Sequence, residues 1–182
     1  MSGDPCVDPA AEVVDVFIAG MAWMFDPEHE CPFPEGALGS TTVRFIAGDG
    51  ALPLMDSTGK GCKEPFLWVR AAHRYRSTAD QFPTAVLAAT VPCAEKSLLR
   101  VLAVEIGVGR CTSIGRDVNP NWDKIDRESV VALQDSWRIE TVQSSIGKRL
   151  EQLGYAAAHD TVAPAGPEGG AIFWTGMSYV RL

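Results

Sequence analysis

The sequence predicts an α+β fold. It is read as one mixed or antiparallel sheet of about four strands, with an N-terminal helix and a long helix packed on it and a C-terminal β-hairpin. Three observations carry this. Apolar residues recur at helical spacing over residues 8–25 and again over residues 126–153. Bulky and small residues alternate strictly over residues 98–110. Residues 160–182, DTVAPAGPEGGAIFWTGMSYVRL, join an extended run to an apolar strand through a turn rich in proline and glycine.

The elements follow in order. Asp8 before Pro9 sets a capping carboxylate and a first-turn proline, which starts a helix. Val14, Phe17, Ile18, Met21 and Phe25 share one face of it, and Asp26-Pro27 ends it. Residues 28–64 are loop-rich, apart from a β-prone run at 41–47, and include the glycine-rich stretch 48–61. Residues 65–75 form a strand of mixed polarity, and 76–96 an irregular excursion marked by Pro83 and Pro92. In the strand at 98–110, Leu102, Val104, Ile106 and Val108 make a bulky face. Ala103, Glu105, Gly107 and Gly109 make a flat one, which a helix or a neighbouring chain is expected to approach closely.

After a loop at 119–122, Asp126 opens the long helix and Gly154 closes it. Its apolar stripe changes partway. Val130, Leu133 and Trp137 mark one side; Ile139, Val142, Ile146, Leu150 and Leu153 mark another, so the helix is kinked or buried from two sides. Gly147 weakens it locally. Residues 155–163 form a strand paired with the last one. In that last strand Ile172, Trp174 and Val180 point one way and Phe173, Met177 and Tyr179 the other. Large groups on both faces require a second covering layer, from this chain or another copy. A chain ending in such a strand is expected to have its final residues paired.

Residues 1–182 are thus read as a single domain, and an apolar content of 46% is ample for a core. No stretch has the length of a membrane span, and the acidic start, Asp4 and Asp8, does not read as a signal peptide. The five cysteines lie far apart without a CxxC pair, which reads as free thiols in a reducing compartment. Cys31, Cys62 and Cys93 are evenly spaced, but their flanks share nothing, so the spacing is chance. A net charge of −7 argues against broad nucleic-acid binding.

A search for chemistry yields no active site. His29 and Cys31 lack the second pair a zinc site needs. Cys111 follows a strand, where a nucleophile can sit, yet a buried structural cysteine explains it as well. Residues 57–61, STGKG, fail the phosphate-loop pattern at Leu54 and Gly61. Asp123 and Asp126 suit a helix N-terminus. Arg70, His73, Arg74 and Arg76 form the one basic cluster. Its three arginines share a face if the strand runs on, and either suit an acidic partner or guard an edge.

Four ordered segments, FLWVRAAHRYRSTADQFP, LAVEIGVGRC, DRESVVALQDSWRIETV and TVAPAGPEGGAIFWTGMSYVRL, carry a resemblance. They span residues 65–182. Their marks are Trp68-Val69-Arg70, Phe82-Pro83, Glu105 with Arg110-Cys111, and Gly166-Pro167-Glu168-Gly169-Gly170. Together they resemble the tail terminator or head-to-tail connector proteins of long-tailed actinobacterial bacteriophages. The first 60 residues share only an N-terminal helix with that family and lack its cysteine-rich region.

The resemblance implies a four-stranded sheet carrying helices, and a homo-hexameric ring at the head–tail junction of the virion, assembled in the host cytoplasm. Such a ring caps the tail tube protein and docks to the head-side stopper, and genome DNA passes through its lumen without specific binding. An acidic protein suits that passage. The expected contact residues are Arg70, Arg74, Trp137, Ile139, Trp174 and Tyr179. No catalytic, cofactor-binding or metal-binding residue is expected, and no membrane partner. The alternatives are the stopper or another neck protein and, from another class, a small cysteine- or metal-dependent enzyme.

Overall fold

The computed structural model describes residues 7–48, 50, 64–86, 98–113, 120–168 and 170–182. Helix α1, Pro9–Met24, begins where the sequence predicts, with the Asp8 side chain accepting from the Ala10 amide at 3.1 Å. Strands β1, Val43–Ala47, β2, Phe66–Ser77, and β3, Leu99–Cys111, follow. Helix α2, Trp122–Gln152, starts four residues before Asp126, because Asn121 rather than Asp126 caps it by accepting from the Lys124 amide. Gly154 closes it at a φ of 88°, and the Tyr155 amide then bonds the Leu150 carbonyl. Strands β4, Ala156–His159, β5, Ala163–Glu168, and β6, Ala171–Arg181, complete the chain.

The fold is α+β, with a six-stranded mixed sheet rather than one of about four strands. Its order is β1-β2-β3-β6-β4, with β5 also beside β6. Among the described strands only β1 and β2 pair in parallel. One additional strand arises where a turn is expected: β4 covers only 156–159 of the run at 155–163, and β5 occupies 163–168 in the proline- and glycine-rich segment. β4 pairs with residues 178–181 of β6 and β5 with residues 171–175, so two short strands share one edge of β6.

Both helices lie on the same face of the sheet. Leu67, Val69, Leu102, Val104, Ile106, Val108 and Val180 pack there against Val13, Phe17 and Met21 of α1 and Ile139, Val142, Ile146 and Leu150 of α2. Two glycines permit the close approach. A Cβ on Gly20 would stand 2.8 Å from Ile146 Cδ1, so α1 meets α2 there. One on Gly176 would stand 2.7 Å from Gln143 Nε2, which donates to the Met177 carbonyl at 3.0 Å.

The other face of β3 is filled differently from expectation. At Gly107 its flat surface receives a side chain from the adjacent strand rather than a helix. Trp68, opposite Gly107, lies over the glycine with its indole fully buried. Phe66 stacks on Trp68, and Phe173 meets it edge-on. The ring needs the room that a missing Cβ leaves.

The glycine-rich stretch at 51–61, the excursion from residue 87 onward and Cys6, Cys62 and Cys93 lie outside the described residues. Of the remaining cysteines, Cys31 is a free thiol and Cys111 is disulfide-bonded. The reading of five free thiols therefore fails at Cys111.

Candidate assembly surfaces

The six expected contact residues do not form one patch. A β-bulge between Ala71 and His73 shifts the register of β2 against β3. Arg70 lies opposite Glu105 before the bulge, whereas Arg74 lies opposite Leu102 after it, so the two arginines point to opposite faces. This corrects the expectation of one arginine face.

Arg70 is occupied. Its Nη2 donates to Glu105 Oε2 at 2.6 Å, while the Trp68 indole N–H donates to Oε1 at 2.8 Å. Glu105 thus ties β2 to β3 beneath an apolar cluster. Arg74 pairs with Asp8, the cap of α1, and its guanidinium holds the Asp8 carboxyl below the usual carboxylate range.

Trp174 packs half-buried at the core margin, and its indole N–H has no acceptor among the described residues. Tyr179 is half-buried on the opposite face, edge-on to Tyr75. Ile139 is completely buried in the core, which leaves it no surface to offer another chain. That expectation is corrected. Ile139 belongs to the stripe of α2 that faces the sheet.

Trp137 belongs to the other stripe. Val130, Leu133 and Trp137 are 54%, 67% and 47% exposed. Helix α2 is therefore covered on one side only, and its second apolar stripe lies open along the N-terminal half. The buried side is anchored firmly there. Arg138 is fully buried and donates to the carbonyls of Met24 and Cys31, each at 2.7 Å, with its guanidinium 3.9 Å from the Phe33 ring centre. Burial lowers its pKa. One turn earlier, Asp135 accepts from Arg110 Nε and Nη2; its burial pushes its pKa up, against the pull of Arg110.

A second open surface runs between α1 and the C-terminal half of α2. It is a groove of about 1210 Å³. Val16, Ala19, Trp23, Ile146 and Leu153 supply apolar lining, Glu12 and Asp15 line it from α1, and Arg100 and Arg149 line it from β3 and α2. Tyr155, between the helices, donates to Glu12 Oε2 at 2.7 Å, a bond that with burial pushes the phenol up to about 12. Sequence reasoning did not assemble this groove. Its charged residues lie far apart along the chain, and no local spacing joins them.

His29 Nδ1 accepts from the Cys31 amide at 3.0 Å, a local turn. Among the described residues no group of three His, Cys, Asp or Glu side chains is arranged to hold a metal. Cys111, being disulfide-bonded, presents no thiolate. His159 Nδ1 lies 2.9 Å from the buried Ser178 hydroxyl, its ring packed against Gly147 of α2; burial lowers its pKa. Among the described residues no helix is long and apolar enough to cross a membrane. No protein-family model matches the chain, and no curated protein matches it either.

Proposed function

We propose that the protein is a structural component of a long-tailed phage virion. In this reading it is the tail terminator, whose copies form a ring that caps the tail tube and joins it to the head-side stopper. The observation that carries the reading is the open stripe of Val130, Leu133 and Trp137 on a helix whose other side closes the core. A large apolar stripe left uncovered on a folded domain suits a protein that works against another protein surface. The ordered likeness of residues 65–182 to phage tail terminators supports the choice of assembly, and the net charge of −7 suits a lumen that must release DNA. The role is not enzymatic, and it needs no cofactor.

The test is fractionation of purified particles into heads and tails, followed by detection of this chain. A terminator travels with the tails. Recovery with the heads would transfer the assignment to the stopper. Absence from both would end the virion reading.

A further inference from the structure

We propose that the groove between α1 and α2 of one copy receives the Val130, Leu133 and Trp137 stripe of the next. This rests on the ring reading above and names its contact. Both surfaces belong to the same molecule but face different ways. At 100° per residue, the stripe and the groove-lining Ser145, Arg149 and Leu153 lie roughly 130° apart around α2. The contact joins two unlike patches, so each copy uses one to hold the copy ahead and the other to hold the copy behind. A two-fold pair in which the stripe meets only the stripe leaves the groove empty.

Charge sets the direction of docking. Arg127 flanks the stripe on one side and Glu140 on the other, and both are exposed. The groove offers Asp15 from α1, on one wall, and Arg149 from α2, on the other. Seated with Arg127 toward Asp15 and Glu140 toward Arg149, the stripe meets opposite charges on both sides. Reversed, it meets like charges on both, which disfavours that orientation. The occupant is thus another copy of this chain, docked in one polarity.

Two exposed positions test this without touching the core. Leu133→Glu spoils the stripe and leaves the groove intact; Ala19→Glu spoils the groove and leaves the stripe intact. The full-length chain and both variants are compared by sedimentation velocity across a concentration series, with circular dichroism to verify folding. The wild type is expected to self-associate, and each variant to lose at least ten-fold in association. An equimolar mixture of the two variants should form 1:1 dimers and nothing larger, since only one good groove–stripe pair remains. Charge reversal at Asp15→Lys should weaken association and Arg127→Glu should restore it.

Oligomers of wild-type size in both variants would overturn the inference and leave the ring reading standing on other surfaces. A mixture that stays monomeric would overturn it too. So would a wild type that is monomeric throughout, and particle fractionation then decides the ring reading separately.

Discussion

Gly107→Ala tests how tightly the second face of the sheet is packed. A Cβ at this position would stand 2.5 Å and 2.6 Å from Cε2 and Cη2 of Trp68, and closer still to Cζ2. Those atoms belong to a rigid ring that is fully buried, so the clash cannot be relieved by a flexible side-chain tip. The ring must move by about an ångström, and overpacking of this kind costs about 1–3 kcal/mol. Movement also stretches the 2.8 Å bond from the indole N–H to Glu105. A hydrogen bond to a charged group contributes about 1.5–3 kcal/mol, part of which is lost. Against this, replacing glycine by alanine restricts the unfolded chain and returns about 0.4–1 kcal/mol. The expected net loss is about 2–4 kcal/mol. Urea unfolding followed by far-ultraviolet circular dichroism measures it. The same substitution in a Trp68→Leu background should cost less than about 0.5 kcal/mol, because the obstructing ring is gone. A single variant as stable as the wild type would refute the packing argument.

Other substitutions probe the helices and the sheet margin. On α2, Ile139→Ala should cost about 2–5 kcal/mol, whereas Leu133→Ser should stay within about half a kcal/mol in the monomer; equal losses in urea melts would contradict the one-sided burial. Arg138→Met should destabilise by about 3 kcal/mol or more, because buried carbonyls lose their donor, and Arg138→Lys should fail to restore it, because an ammonium lacks the planar fork. Trp174→Ala should cost roughly 3 kcal/mol by denaturant titration, and a loss below about 0.5 kcal/mol would mean that Trp174 contributes little to packing. Burial lowers the folded pKa of His159, so its contribution is complete above the ordinary value of 6.5 and is lost as pH falls through the folded pKa. His159→Gln should flatten that part of the stability–pH curve, and an unchanged curve would remove His159 as its source.

Local chemistry made some elements legible and left others hidden. Asp8 and Pro9 announced α1 because a cap and a first-turn proline act within a few residues. The two stripes of α2 were legible as a pattern, but which stripe would be covered was not. That depends on where the sheet lies, and it put Ile139 inside and Trp137 outside. The arginine face was misread because one extra residue in β2 reverses the side-chain alternation, and no residue type near Ala71 signals the bulge. The flat face of β3 was visible as small residues. That Trp68 fills it is a fact of strand pairing, set by a partner 39 positions away from Gly107 in the chain. Likewise, Asp15 and Arg149 come to one groove only after α1 and α2 have packed.

The central place of β3 and β6 has a consequence for the growing chain. Cys111 pairs with Ala171 and Val101 with Arg181, so one edge of β3 waits for a partner made 60 to 80 residues later. At about 5–20 residues per second, that strand spends several seconds on the ribosome with a row of backbone donors and acceptors unmatched. Its other edge is already held by β2, which is made earlier. The 31 residues of α2 are synthesised within this interval and can coil locally before β6 exists. The interval between β3 and β6 is therefore the part of biosynthesis most exposed to mispairing with a neighbouring nascent chain.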